Sequence, residues 1–136
     1  TAIAALATST LFGVLHLGNP AASAVSTLNI TLAGLFFAAA YLVTGDLGLP
    51  VGVHVGWNFA LGAVWGLPVS GVRLSAALVR LRATGDPTMT GGAFGPEGGL
   101  VLYAGLVAGV AGVWLWARAQ DREGTWTDVA VPVRRE

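Results

Sequence analysis

The sequence contains no cysteine and no lysine, and charged residues make up only 10% of its 136 residues. The absence of cysteine excludes disulfides, thiolate metal sites and cysteine nucleophiles. A soluble domain carries about 25% charged residues. The formal net charge is zero, so nothing indicates binding to nucleic acid. The few charges are also unevenly placed, because Asp46 is the only charged side chain in the first 72 residues.

Apolar residues make up 54% of the chain, and its mean hydropathy is +0.71. Four apolar segments account for most of this, and each approaches the roughly 20 residues that a helix needs to cross a bilayer. They lie at about residues 2–17, 22–43, 48–67 and 99–117. This pattern predicts an all-α, polytopic transmembrane helix bundle with about four spans, in an integral membrane protein that contacts the lipid bilayer.

One long connection, residues 69–98, separates the third and fourth segments. Its first part, SGVRLSAALVRLR, is arginine-bearing and amphipathic and predicts a short helix on the membrane surface. Its second part, TGDPTMTGGAFGPEGG, is rich in glycine and proline and predicts a loop. We therefore divide the chain into a helical core over residues 1–117 and a polar tail over residues 118–136.

Glycines spaced by four recur in the apolar segments. Such spacing allows helix backbones to approach closely in a membrane, so it predicts a compact bundle. The pairs are Gly52 and Gly56, Gly62 and Gly66, and Gly105 and Gly109.

Polar side chains occur inside these apolar segments. His54 and Asn58 lie four residues apart in the third segment, so they share one face of a helix. His16, the only other histidine, lies near the end of the first segment. Polar groups in a membrane helix are costly and usually face a bundle interior or a watery cavity. They form either structural hydrogen bonds between helices or a functional site, and the residues alone leave both interpretations open.

Two motifs resemble those of the CAAX-protease and bacteriocin-processing family of intramembrane endopeptidases, also called the CPBP or Abi family. Phe12 and His16, in LFGVLHLGNP, match its Phe-x-x-x-His motif. His54 and Asn58, in GVHVGWN, match its His-x-x-x-Asn motif. The stretch GGAFGPEGG is similar to a glycine-rich loop before the last helix of bacterial members. The resemblance covers about residues 1–117 and implies the C-terminal half of an eight-helix fold in the cytoplasmic membrane of a bacterium.

The resemblance implies hydrolysis of a peptide bond in a membrane-associated protein or peptide by a glutamate-activated water. His16 and His54 would position that water or bind a metal, and Asn58 would stabilise the oxyanion or orient His54. Two histidines, a carboxylate and a water can form a catalytic zinc set. Only two such ligands are visible in the chain, so whether zinc or another divalent metal is needed stays open.

The first motif of the family, Glu-Glu-x-x-x-Arg, should precede Phe12 by some tens of residues. None of the eleven residues before Phe12 is acidic. We therefore expect this chain to be the C-terminal portion of a longer enzyme. The alternative is a non-catalytic membrane protein of the same fold, such as a bacteriocin self-immunity or scaffold protein.

Three further polar residues are weaker candidates. Ser9 shares a helical face with His16 but lies about 10 Å from it along the axis. It has no visible acid partner, so we do not expect a serine nucleophile. Asn29 is expected to form a hydrogen bond between helices. Glu97 is expected to be solvated, or to be a favourable charge at the start of the fourth helix, and not a catalytic group.

The positions of the two histidines impose a geometric condition. If the first three segments alternate across a core of about 30 Å, His16 and His54 lie near opposite faces and cannot share a water. We therefore expect residues 17–23, LGNPAAS, to turn inside the protein, or the second helix to be tilted. A shared site requires the two imidazoles to lie within about 12 Å of each other.

Overall fold

The computed structural model describes residues 1–122, with side chains described through Ala119. Helices carry most of this part of the chain. They are α1 (Ala2–Leu15), α2 (Ala24–Thr44), α3 (Gly48–Asn58), α4 (Pro87–Thr90) and α5 (Val101–Arg122), with 3₁₀ turns at His16–Gly18 and Pro96–Gly98 and a π-helical segment at Phe59–Val64.

The predicted all-α class is confirmed for the described residues. Within residues 1–122 the only isolated β-type pairing is the two-residue bridge between Val69 and Val72. α5 continues through Arg122, so the first residues of the predicted polar tail are helical. The rest of that tail lies outside the described residues.

The four predicted apolar segments coincide with α1, α2, α3 and α5, but only two of these helices reach spanning length. Ala24–Thr44 has 21 residues and Val101–Ala119 has 19. The apolar helix at Ala2–Gly18 is shorter, and α3 ends after 11 residues. By length and composition, the described chain therefore has two helices that can cross a membrane, and the prediction of four spans is corrected to two.

The third apolar segment falls short because its helix widens. After Asn58 the chain enters the π-helical segment, where the N–H of Trp65 donates to the carbonyl oxygen of Ala60 at 3.0 Å, five residues back. The α-helical part measures only about 16 Å at 1.5 Å per residue, roughly half of a bilayer core. π-helical turns are rare and frequently occur at functional sites, and this one begins directly after Asn58, the last residue of the His-x-x-x-Asn motif.

α1 packs on α2 through small residues. A Cβ on Gly13 would overlap Oγ1 of Thr31, and one on Gly34 would lie 3.0 Å from Cα of Ser9. Such close approach of backbones is typical of helices that associate in a bilayer. α2 also contacts α3, α5 and the turn before α5, so it is the central element. Its buried residues are mostly small or polar: Ser26, Asn29, Ile30, Gly34, Ala40 and Thr44.

Residues 70–82 do not form the surface helix that the sequence predicted. The N–H of Leu78 donates to the carbonyl of Ala63, and the N–H of Val79 donates to that of Val64, both at 2.8 Å. The last carbonyls of a helix have no intrahelical donors, and here the non-helical chain at Leu78 and Val79 supplies them. The prediction was wrong because these backbone groups pair with the π-helical segment instead of with each other.

The glycine-rich part of the connection is closely packed. The carboxylate of Asp86 accepts from the N–H of Thr88 at 2.7 Å and caps α4, and this bond lowers the pKa of Asp86 from its usual value. Gly95 has a φ of 95°, and a Cβ there would overlap the carbonyl of Pro68. Glycine is therefore required at this position. The tight path of the loop carries Glu97 into the interior.

Candidate active site

Phe12 lies between the two histidines. Its ring centroid is 4.6 Å from that of His16 and 5.7 Å from that of His54. The two imidazole centroids cannot be farther apart than the sum of these two distances. That sum is smaller than the separation of about 12 Å that a shared site allows. Both imidazoles line one cavity of about 160 Å³. The structure therefore brings together the two histidines of the separate motifs.

The two histidines do not lie near opposite membrane faces, because the helices that carry them are short and their side chains point toward a common region. Side chains on a helix lean toward its N-terminus, and Nδ1 of His16 lies 2.7 Å from the carbonyl oxygen of Phe12, one turn back. α3 packs beside the second half of α2, where the ring of Phe37 stacks on His54 at a centroid distance of 5.0 Å. Both imidazoles therefore meet near the same part of α1 and α2.

The chain between α1 and α2 turns against another part of the protein. Asn19 is half-buried, and its Nδ2 donates to the carbonyl of Ser70 at 2.9 Å. A Cβ on Gly71 would overlap the carbonyl of Pro20, so the two turns are in close contact. Residues 17–23 are thus partly covered by the turn at residues 69–72. The depth of this turn in a bilayer stays a prediction.

The contact at His16 defines which nitrogen carries hydrogen. A carbonyl oxygen only accepts, so Nδ1 of His16 is the donor to Phe12. In the neutral imidazole, Nε2 then carries the lone pair and can act as a base or a ligand. The ring of His54 has no hydrogen-bond partner in the described part of the chain and is held between Phe12 and Phe37.

Asn58 is not among the residues that line the histidine cavity. It lies where α3 meets the π-helical segment, and its Oδ1 is buried with no hydrogen-bond partner in residues 1–122. A buried, unpaired acceptor costs about 1–3 kcal/mol. Its predicted role as an oxyanion donor, or in orienting His54, stays a prediction.

Ser9 lies in the wall of a second, larger cavity of about 510 Å³, which shares Phe12, Phe37 and His54 with the first. Its hydroxyl is buried and has no hydrogen-bond partner among the described residues. No carboxylate side chain of the described chain lines this cavity. Ser9 thus has no acid partner here that would assist a nucleophile.

Glu97 lines the histidine cavity and is only 5% exposed, so the expectation of a solvated side chain was wrong. Its Oε1 accepts from Nε1–H of Trp57 at 3.1 Å. Its Oε2 accepts from the N–H of Ser70 and from the hydroxyl of Ser70, the latter at 2.8 Å. The glycines around Glu97 permit the tight loop that buries it, but glycines in a loop do not by themselves indicate that a neighbouring charge is buried.

Asn29 holds the backbone beside this carboxylate. It is fully buried, and its Nδ2 donates to the carbonyls of Glu97 at 3.0 Å and Gly99 at 3.2 Å. Its Oδ1 accepts from the hydroxyl of Tyr103 at 3.1 Å. The predicted hydrogen bond between helices is therefore present, and it joins α2 to α5 and to the loop before α5.

The side chains around the cavity do not form a complete metal site. Within residues 1–122 no group of three or more His, Cys, Asp or Glu side chains is placed to hold a metal ion. Both oxygens of Glu97 already accept hydrogen bonds from Trp57 and Ser70. His16 and His54 therefore supply at most two ligands from the described chain, and we derive no catalytic step through a metal.

The segment that carries the histidine motifs is similar to a protease family. Residues 1–60 match the family model described as type II CAAX prenyl endopeptidase Rce1-like, a family of membrane-embedded proteases. The matched segment contains Phe12, His16, His54 and Asn58. The resemblance to the CAAX-protease family is thereby confirmed over this segment. Neither curated proteins nor solved structures gave a significant match to the chain.

Proposed function

We propose that this Rce1-like chain supplies the histidine side of the active site of an intramembrane endopeptidase, which cleaves a membrane-associated protein or peptide. The observation that carries the proposal is the meeting of His16 and His54 across the ring of Phe12, at one cavity. The family match over residues 1–60 supports the same class of reaction.

Water is the nucleophile in this proposal. The chain has no cysteine, and Ser9 has no hydrogen-bonded base within residues 1–122. A water in the cavity can donate to Nε2 of His16, which is left as an acceptor by the bond from Nδ1 to Phe12. His54, which has no competing hydrogen bond in the described chain, can donate to the oxygen of the scissile carbonyl as negative charge develops there.

The general base comes from outside this chain in our proposal. Among the described residues, Glu97 is the only carboxylate in the wall of the histidine cavity, and its two oxygens are engaged by Trp57 and Ser70. The acidic residues of the chain include no adjacent pair, so none of them forms the Glu-Glu-x-x-x-Arg motif. The base would take a proton from the attacking water and return one to the amine that leaves.

The test uses the full-length natural protein in proteoliposomes and a farnesylated peptide that ends in a CAAX sequence. We expect His16→Ala and His54→Ala each to lower kcat/KM by about 10²–10⁴-fold, the range for loss of a group that transfers or positions a proton. Matched controls are Leu15→Ala and Val55→Ala, which lie beside the histidines in sequence and are 68% and 62% exposed. These should cleave like the wild type.

Full activity of either histidine variant would contradict the proposal. A non-catalytic membrane protein of the same fold is the second candidate, and one observation favours it: in the described residues, no carboxylate at the histidine cavity is free of protein hydrogen bonds. A full-length protein without a Glu-Glu-x-x-x-Arg motif that leaves both a farnesylated and an unmodified membrane peptide intact would select this second candidate.

A further inference from the structure

The carboxylate of Glu97 and the indole of Trp57 form a buried pair in the wall of the histidine cavity. Both residues line the cavity, and the indole N–H donates to Oε1 of Glu97 at 3.1 Å. Trp57 follows His54 by three residues on α3, so the two side chains lie on the same helix face. A contact that holds the side chain of Trp57 in place therefore also restrains the face of α3 that carries His54.

Glu97 is itself held by several parts of the fold. Asn29 of α2 binds its backbone carbonyl, and Ser70 binds its side chain through both N–H and hydroxyl. Ser70 has a φ of 45°, a conformation that residues other than glycine rarely adopt. The hydrogen bonds to Glu97 compensate for the conformational cost of this backbone turn. The carbonyl of Ser70 also accepts a hydrogen bond from Asn19, which lies three residues after His16. Glu97 thus connects the surroundings of both histidines.

All the polar partners that the structure gives to the Glu97 side chain are neutral donors on Trp57 and Ser70. A buried carboxylate without a cationic partner is costly unless such donors satisfy it. Glutamine has nearly the same shape but cannot accept at both ends. Replacement of Glu97 by glutamine therefore removes one set of hydrogen bonds while it preserves the packing.

We propose that Glu97 is a positioning residue for His54 and acts through the indole of Trp57. The carboxylate holds Trp57, Trp57 sets the orientation of α3 at the cavity, and this places the imidazole of His54 against Phe12 and Phe37. The catalytic consequence rests on the proposed endopeptidase function. The structural coupling between Glu97 and His54 does not, so the two can be tested separately.

The first experiment measures the coupling without any substrate. The full-length protein is labelled with ¹⁵N in histidine side chains and tryptophan indoles, and the signals are assigned by His16→Ala, His54→Ala and Trp57→Phe. We expect Glu97→Gln to shift the indole signal of Trp57 and the imidazole signals of His54. The signals of His16 should move less, because its Nδ1 stays bonded to the carbonyl of Phe12.

The second experiment measures cleavage of the farnesylated peptide. Small displacements of a catalytic group can cost about 10²-fold in rate, so we expect Glu97→Gln and Trp57→Phe each to lower kcat by about 10–100-fold, with KM changed less than about twofold. The double variant should be no slower than the slower single variant, because both changes break the same connection. Controls are Asp86→Asn, an exposed acid of the same connection, and Trp65→Phe, an exposed tryptophan.

Unchanged His54 signals in a folded Glu97→Gln protein would overturn the proposal, as would additive losses of kcat in the double variant. If Glu97→Gln does not fold, Trp57→Phe alone decides, because it leaves the bonds from Ser70 to Glu97 in place. If the wild type cleaves no peptide but the His54 signals still shift, the endopeptidase function fails while the positioning role stands.

Discussion

At the scale of residues, Asn29 shows how one buried amide joins separate parts of the fold. Its side chain makes three hydrogen bonds, two to carbonyls of the loop before α5 and one from the hydroxyl of Tyr103. No water competes with them, because the side chain is fully buried. The loop that carries Glu97 into the cavity wall therefore depends on a residue of α2, far away in the sequence.

We expect Asn29→Ala to lower the free energy of unfolding by about 3 kcal/mol, because it leaves several buried polar groups without partners. Asn19→Ala is the matched control. Asn19 is only half-buried and makes one side-chain bond, to Ser70, so its loss should cost about 1 kcal/mol. Denaturant unfolding of the full-length protein in detergent measures both. Equal effects of the two substitutions would contradict this account of the loop.

The sequence predicted some of these residues and not others for a physical reason. His16 and His54 stand out because an imidazole is costly in an apolar helix. Glu97 lies in a loop, where a charged residue is usually solvated, so nothing in its local pattern indicated burial. Its position depends on a contact with Trp57 and on a turn at Ser70, and local patterns do not encode such distant partners.

At the scale of elements, the packing of helices depends on which glycines face a neighbour. Gly105 and Gly109 of α5 do so, because a Cβ there would lie 3.1 Å from the ring of Trp57 and 2.9 Å from that of Phe36. Gly52 and Gly56 of α3 have no atom within 4 Å of such a Cβ. The spacing by four predicted all these glycines as packing sites, but spacing alone does not reveal which face is covered.

The two kinds of glycine should respond to alanine with opposite sign. Gly13→Ala would push a methyl group into Thr31 and the backbone of Thr27, so we expect a loss of about 1–3 kcal/mol in the free energy of unfolding. Gly52→Ala meets open space within a helix and should stabilise the protein by about 0.5–1 kcal/mol. Thermal unfolding in detergent checks both, and a stabilised Gly13→Ala protein would refute the close contact of α1 with α2.

The boundaries of α2 followed closely from sequence, whereas the third apolar segment did not. Ser23 caps α2 and Gly45 ends it in a left-handed conformation, and both are local signals. The change from α3 to a π-helical segment after Asn58 has no comparable signal. It depends on the non-helical chain at Leu78 and Val79, whose N–H groups donate to carbonyls of that segment. The apolar pattern of the third segment therefore predicted a helix, but it predicted neither the change to a π-helix nor the length of the α-helical part.

At the scale of the whole molecule, apolar side chains cover much of the surface. Ile3 is 84% exposed, Leu78 81% and Val107 70%. Only 6% of the apolar window in α5 is buried within the described structure. Exposed apolar surface of this extent indicates contact with lipid or with further helices. We therefore predict that α2 and α5 cross the bilayer, with the turns around Asp46 at one membrane face and the connection before α5 at the other.

The absence of cysteine from this chain makes that topology directly testable. We propose single-cysteine variants of the full-length protein, with any cysteine elsewhere in it replaced, in sealed vesicles treated with a membrane-impermeant maleimide. α2 separates Asp46 from the connection that contains Thr84, so Asp46→Cys and Thr84→Cys should react from opposite sides of the membrane. Val107→Cys, nearly two turns into the apolar part of α5, should react from neither side, because the bilayer excludes the reagent. Labelling of Asp46→Cys and Thr84→Cys from the same side would contradict the crossing of α2. Rapid labelling of Val107→Cys would place α5 outside the lipid, and the cavity of His16 and His54 would then have to function in water.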